Sequence, residues 1–91
     1  MENPDVQQVR AHVLRMLETN RKQGHDHALN FDYSFLCPSP HEYQWQWFWD
    51  SCFHAIGVAH VDPEQAIREL ETLVTTQRDD GFIGHMYYWG V

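Results

Sequence analysis

The residues best suited to chemistry lie together near the middle of the chain. Three of the four tryptophans alternate there with other residues and lead directly into a carboxylate: Trp45, Trp47, Trp49 and Asp50. Aromatic rings cover the apolar C–H face of a sugar, while amide and carboxylate oxygens accept hydrogen bonds from its hydroxyl groups. Gln44 and Gln46 supply the amides, which a purely apolar core would not favour because buried polar groups need partners. The stretch therefore predicts the floor of a sugar-binding site.

The same residues also have a plainer interpretation. Tyr43, Trp47 and Trp49 could pack as ordinary core residues, because large aromatic side chains contribute strongly to the cores of small domains. Asp50 could simply stand in the first turn of a helix, where the helix dipole stabilises a negative charge. Residue type and spacing leave both interpretations open.

Composition limits the class of protein. The 91 residues suffice for one small domain, and 14% aromatic residues argue against disorder. Thirteen acidic residues against six basic ones give a net charge of −7, which argues against a nucleic-acid-binding surface. No apolar run approaches the roughly 20 residues of a membrane-spanning helix, and no signal-peptide pattern opens the chain. We therefore expect a cytoplasmic protein. Cys37 and Cys52 could form a disulfide, but free thiols are favoured because cytosolic proteins rarely keep disulfides.

Three segments carry helix signals, and together they predict an all-α fold. Asn3-Pro4-Asp5 is typical of a helix start, and Gly24 of a stop after the first helix. Asp62-Pro63 starts another helix. Both of these helices are apolar on one side only. Between them lies a helix that is apolar almost all round and must be buried on most sides. The predicted helices span 4–22, 47–60 and 63–77.

The segment between the first two helices reads as a long loop over residues 24–46. Pro38 and Pro40 exclude a helix there, and a loop of this length in a small domain is usually functional or packed against the core. Apart from Asp50 and the loop residues Asp26, Asp32 and Glu42, the acidic residues are expected at helix caps or on solvated faces. Four of them are assigned to a solvated face: Glu69, Glu71, Asp79 and Asp80.

Several short motifs resemble one known family. They are Gln46-Trp47-Phe48-Trp49-Asp50-Ser51-Cys52-Phe53-His54-Ala55, Ala59-His60-Val61-Asp62-Pro63-Glu64, Gln77-Arg78 and Asp80-Gly81-Phe82-Ile83. Together they resemble the N-terminal part of the six-hairpin glycosidases, and most closely glycoside hydrolase family 63 with its bacterial mannosylglycerate and glucosylglycerate hydrolases. The likeness covers roughly residues 40–89.

This resemblance implies an (α/α)6 toroid with the sugar in a central pocket and hydrolysis with inversion. It places five residues at the substrate, four lining the glycosyl subsite and the last near the pocket rim: Tyr43, Trp47, Trp49, Asp50 and His85. The general acid and general base of the family lie on later stretches that this sequence lacks. We therefore expect a single domain over 1–91 that is incomplete relative to the toroid, has no catalytic residue and retains weak carbohydrate binding.

Two functions from different classes follow. The first is a glycosidase-like module that binds a sugar or a glycerate glycoside weakly. The second is a structural or interaction module, in which the helix over 47–60 and the segment 82–91 present bare apolar surfaces. A second copy or a complementing chain would then cover those surfaces. We expect no nucleic-acid partner, no membrane and no cofactor.

A metal site or a nucleophile is a weaker interpretation of the polar residues. Six residues are of metal-ligand type: His25, His27, Asp32, Cys37, His41 and His54. Neither Cys-x-x-Cys nor His-Glu-x-x-His spacing occurs among them. Cys52 and His54 lie two positions apart on a predicted helix and therefore face different directions. The sequence thus predicts no metal site and no nucleophilic catalysis.

Overall fold

The described part of the chain combines three helices with two small antiparallel sheets. A computed structural model describes residues 3–90. The elements are α1 (Pro4–Asn20), β1 (Arg21–Asp26), β2 (Phe31–Leu36), β3 (Gln46–Trp47), α2 (Phe48–Val58), α3 (Pro63–Thr75) and β4 (Met86–Tyr87). Strand β1 pairs with β2, and β3 pairs with β4. The all-α prediction is therefore wrong, because the fold is mixed.

The three predicted helices are present with shorter bounds. Asn3 caps α1 by accepting a hydrogen bond from the Asp5 N–H at 2.7 Å, and Asp62 caps α3 through the Gln65 N–H at 3.2 Å. Each helix ends two residues earlier than predicted, at Asn20, Val58 and Thr75. No residue of α1 is buried. The cap residues thus predicted the starts of α1 and α3 correctly, whereas each helix end was predicted two residues too late.

A β-hairpin replaces most of the predicted loop over 24–46. The register runs from Arg21 opposite Leu36 to Asp26 opposite Phe31, and Asn30 adopts a left-handed φ of 49° in the turn, which asparagine tolerates well. Gly24 is not a helix stop but lies within β1. A Cβ there would stand only 2.7 Å from the Tyr33 hydroxyl, so the close approach of the ring requires glycine.

Alternation along β2 divides its residues between two environments. Phe31, Tyr33 and Phe35 contribute to an aromatic cluster that also contains Trp89. The opposite side of the strand meets α3, where Leu36 packs into a second core cluster with Val58 and Ala66. This period-2 pattern was visible in the sequence, but the flanking prolines and asparagine favoured a loop.

A line of buried polar residues on α3 binds the backbone of β2. The line consists of Gln65, Glu69 and Thr72, each at most 7% exposed. The Ser34 N–H donates to the Thr72 hydroxyl at 3.1 Å, and the Leu36 N–H donates to Glu69 Oε2 at 2.7 Å. Side chains of α3 therefore satisfy the outer edge of β2, which would otherwise expose unpaired N–H groups.

Glu69 corrects one prediction about the acidic residues. It was expected on a solvated face, yet its side chain is fully buried, while Glu71, Asp79 and Asp80 are exposed as expected. The second carboxylate oxygen, Oε1, accepts a hydrogen bond from the Ser51 hydroxyl at 2.7 Å. Two donors from different elements therefore compensate for the removal of this carboxylate from water.

The two cysteines are free, Cys37 being buried and Cys52 half-buried. Burial raises the pKa of the Cys37 thiol, which keeps it protonated and unreactive at neutral pH. Among the described residues, no helix is long and apolar enough to cross a membrane.

Replacing Glu69 with alanine should lower the free energy of unfolding by roughly 2–4 kcal/mol, because two buried donors lose their acceptor. Glu71 on the same helix is the matched control, since its exposed side chain only contacts Arg68 at 3.4 Å. Glu71→Ala should change the free energy of unfolding by about 0.5 kcal/mol or less. Urea denaturation measures both values, and equal losses would contradict the role assigned to Glu69.

Candidate functional site

The junction between β3 and α2 positions the predicted site residues. Gln46 pairs with Tyr87, and Trp47 pairs with Met86. The Phe48 N–H then donates to the His85 carbonyl at 2.8 Å, which extends the ladder into the first turn of α2. This short ladder fixes the segment before β4 against the start of the helix.

Alternation in β3 sends neighbouring side chains in opposite directions. Gln46 is 1% exposed, and its Nε2 donates to the Ser51 hydroxyl at 3.1 Å. Its Oε1 accepts a hydrogen bond from the Trp89 Nε1 at 2.7 Å. Both ends of this amide are thus used inside the protein. Gln46 is therefore a structural residue and not a ligand for sugar hydroxyls.

An open cleft of about 310 Å³ lies next to this junction. Its lining consists of Pro38, Tyr43, Trp47 and Asp50. The rings of Tyr43 and Trp47 lie 6.2 Å apart at 69°, an edge-to-face arrangement that aromatic pairs prefer. Tyr43 is held there by a pair of backbone hydrogen bonds with Ser39, at 3.1 and 3.3 Å. The cleft therefore combines two aromatic rings with one carboxylate.

The other two predicted residues lie outside this lining. His85 is exposed, and its ring centroid lies 6.0 Å from that of Trp47, so it stands beside the cleft. Trp49 is 72% exposed and packs against Phe53 with 5.5 Å between ring centroids. Of the five residues, the structure thus brings three into one cleft, places His85 next to it and leaves Trp49 on a different surface.

The Trp47 indole has a further feature relevant to binding. Its Nε1 atom is buried and has no hydrogen-bond partner among the described residues. Buried indole N–H groups usually have a partner, because leaving a donor unpaired costs about 1–3 kcal/mol. Trp47 is thus a half-buried residue that lines the cleft while its N–H group stays buried and unpaired among the described residues.

The sequence analysis did not include His54 among the site residues and weighed it only as a metal ligand or as a partner of Cys52. It follows Asp50 by four positions on α2, a spacing that places the two side chains on one side of the helix. Its Nδ1 atom lies 3.7 Å from Glu69 Oε1, which is beyond a hydrogen bond but close enough for electrostatic attraction. The i, i+4 spacing from Asp50 was the signal that could have identified it.

The pKa of His54 is raised by its surroundings. Burial disfavours the charged imidazole, but the Glu69 carboxylate and the backbone of Leu36 favour it, and Asp50 adds a further attraction. The net result is a pKa above the ordinary value for histidine. The Glu69 and Asp50 carboxylates thus favour the protonated form of the His54 imidazole.

The described lining of the cleft holds one carboxyl group. Inverting glycosidases use two carboxyl groups about 6.5–9.5 Å apart, one as acid and one as base. Asp50 is the single carboxylate among the described lining residues. Within residues 3–90, no group of three or more histidine, cysteine, aspartate or glutamate residues is arranged to hold a metal ion.

A cleft that joins aromatic rings to a carboxylate is typical of carbohydrate-active proteins. Residues 43–91, which are more than half of the chain, match the family described as mannosylglycerate hydrolase MGH1-like glycoside hydrolase domain. The chain therefore belongs to this glycoside hydrolase family, and the resemblance predicted from the motifs is confirmed. No curated protein and no solved structure matches the chain. All five predicted site residues lie within the matched segment.

The charge on His54 predicts a defined pH dependence of stability. Because its pKa is higher in the folded than in the unfolded state, its contribution is fully present below the unfolded pKa and disappears as pH rises through the folded pKa. The loss in unfolding free energy caused by His54→Gln should therefore be larger at pH 5.5 than at pH 8.5. Urea denaturation at the two pH values measures this difference.

The control for this prediction is the same substitution in a Glu69→Gln background. Without the Glu69 charge, the pH-dependent part of the His54→Gln effect should shrink, because the two side chains are coupled. A loss that is the same at both pH values in the native background would show that His54 acts through packing alone.

Proposed function

We propose that this chain forms a carbohydrate-binding cleft of the glycoside hydrolase type. The observation that carries the proposal is the meeting of Tyr43, Trp47 and Asp50 in one open cleft within the family-matched segment. The aromatic rings would cover the C–H face of a sugar, and the Asp50 carboxylate would accept hydrogen bonds from its hydroxyl groups.

The proposed ligand is a sugar glycoside of glycerate, which follows from the family name and from the size of the cleft. A volume of about 310 Å³ lies at the low end of small-molecule pockets, so it suits one sugar ring better than a long oligosaccharide. The cleft is open and presents few polar groups, so binding by the chain alone should be weak. His85 would bound the rim, next to Trp47.

Mannosylglycerate should bind the chain with a dissociation constant in the millimolar range, which corresponds to about 4 kcal/mol. Trp47→Ala and Asp50→Asn should each weaken binding by about tenfold or more, because each removes a contact in the cleft. Trp49→Ala is the matched control, because Trp49 lies on the same helix turn but outside the cleft. NMR titration of the ¹⁵N-labelled chain measures the three affinities.

Two results would contradict the carbohydrate proposal. One is a native chain whose spectrum does not change with the glycoside at millimolar concentration. The other is an equal loss of affinity in Trp49→Ala and Trp47→Ala, since this would place the ligand away from the cleft. Circular dichroism of each variant checks that the fold is retained.

A second function, self-association, is favoured by the exposed side of α2. Trp49, Phe53 and Ile56 follow one another at helical spacing, and their exposed fractions are 72%, 58% and 65%. Contiguous exposed apolar side chains mark association surfaces. We propose a second copy of the chain as the occupant, in an arrangement with twofold symmetry. Trp89, in contrast, is 3% exposed and so is a core residue rather than part of an interface.

Self-association through this face predicts a mass that rises with protein concentration. Phe53→Ser should shift the equilibrium towards the monomer, because it removes the central apolar side chain of the face. Added salt should strengthen association, since each copy carries a net charge of −7 and the face itself is uncharged. Light scattering across a dilution series measures both effects.

The matched control is Val9→Ser, at an apolar position of α1 with a similar exposed fraction of 63%. This variant should retain the association of the native chain. A native chain that remains monomeric at all concentrations would exclude the second function, and an equal effect of both variants would place the interface elsewhere.

A further inference from the structure

The tip of the β1–β2 hairpin brings together two histidines that the sequence left on an unstructured loop. His25 is the second-last residue of β1, which ends at Asp26, and His27 begins the turn. Their ring centroids lie 5.0 Å apart with an angle of 76° between the ring planes. Both side chains are exposed, and both line a cavity of about 240 Å³ together with Asp26, Ala28 and Gly90.

Strand pairing places a carboxylate against one of these rings. His25 lies opposite Asp32 in the hairpin register, and His25 Nδ1 lies 2.7 Å from Asp32 Oδ1. The Arg68 guanidinium donates to the Asp32 carbonyl, which holds this residue in place. In a neutral imidazole with Nδ1–H donating to the carboxylate, Nε2 carries a free lone pair. Carboxylate, imidazole and open nitrogen form the usual arrangement of a metal-ligating histidine with its supporting residue.

The separation of the two rings fits a shared cation. A metal bound about 2.0–2.1 Å from one nitrogen of each imidazole, at a tetrahedral angle, places the ring centroids roughly 5 Å apart. The observed separation of 5.0 Å agrees with this value. The spacing of the His25 and His27 rings is therefore compatible with one shared ion.

The chemistry of the donors selects the class of ion. Two imidazole nitrogens suit Zn²⁺, Ni²⁺ or Cu²⁺, whereas Mg²⁺ and Ca²⁺ prefer oxygen ligands. The Asp26 carboxylate in the cavity wall accepts hydrogen bonds from the N–H groups of Leu29 and Gly90, at 3.1 and 3.2 Å. The cavity wall therefore includes a carboxylate held in place by backbone N–H groups, and a carboxylate attracts a cation.

We propose that His25 and His27 form a two-histidine site for a divalent transition-metal ion, with Asp32 as the positioning residue and water completing the coordination. Two protein ligands are fewer than the three or four of most resident zinc sites, so the site should bind reversibly and with moderate affinity. A bound ion would link the end of β1 to the turn that follows it. This site shares no lining residue with the cleft of Tyr43, Trp47 and Asp50.

The test is a titration of the full chain with ZnCl₂ or NiCl₂, followed by calorimetry and by NMR of the histidine rings. Zn²⁺ should shift the resonances of His25 and His27 and raise the unfolding temperature of the native chain. His25→Ala and His27→Ala should each lower the affinity at least tenfold. Asp32→Asn should lower it by about 10–100-fold, as is typical for a supporting carboxylate.

His12→Ala is the matched control, because His12 is an exposed histidine on α1 outside the hairpin. It should bind Zn²⁺ like the native chain, and MgCl₂ should produce none of these effects. An equal loss of affinity in His12→Ala, or native affinity in His27→Ala, would overturn the proposal. Retained glycoside binding in the hairpin variants would separate this result from the outcome for the cleft.

Discussion

The buried Glu69 carboxylate is the constraint on which most of this structure depends. A charge without contact to water is tolerated only where hydrogen bonds and opposite charge replace its hydration. The Leu36 N–H and the Ser51 hydroxyl supply the hydrogen bonds, and the His54 imidazole, whose pKa is raised, lies 3.7 Å from the carboxylate. These groups belong to β2 and α2, whereas Glu69 belongs to α3. The hydrogen bonds of Glu69 therefore fix the positions of the three elements relative to one another.

The same network determines which residues are left for the cleft. Ser51 accepts a hydrogen bond from Gln46, and Gln46 accepts one from Trp89, so the chain on either side of Trp47 and Asp50 is fixed from within. Strand geometry then turns Trp47 away from buried Gln46. The mixture of tryptophan and glutamine that indicated a sugar site therefore has two origins. The Gln46 amide makes hydrogen bonds inside the protein, and the Trp47 ring lines the cleft.

Sequence reasoning succeeded where the signal is local. A capping side chain followed by proline located the starts of α1 and α3, because these signals act within one helical turn. It failed for the hairpin, since strand pairing joins residues far apart in the chain and the turn residues alone favoured a loop. Glu69 was misplaced for a related reason. Its donors lie 18 and 33 positions away, so nothing in its neighbourhood distinguishes it from solvated Glu71.

The candidate site was predictable in residue type but not in arrangement. Spacing and resemblance selected Tyr43, Trp47 and Asp50, which do line one cleft. Trp49 was grouped with them through the resemblance and the alternating tryptophans, yet the chain changes from β3 to helix at Phe48. Beyond that point side chains follow a period of about 3.6 rather than 2. A single change of period therefore separates Trp47 from Trp49.

Helix α2 has three sides with different surroundings. This explains why its sequence is apolar in almost every direction. Ser51, Ala55 and Val58 face the core, Asp50 faces the cleft, and Trp49, Phe53 and Ile56 remain exposed. The Ser51–Glu69 hydrogen bond holds Ser51 against α3. With Ser51 directed to the core, the helical period leaves Asp50 at the cleft and Trp49, Phe53 and Ile56 at the exposed side.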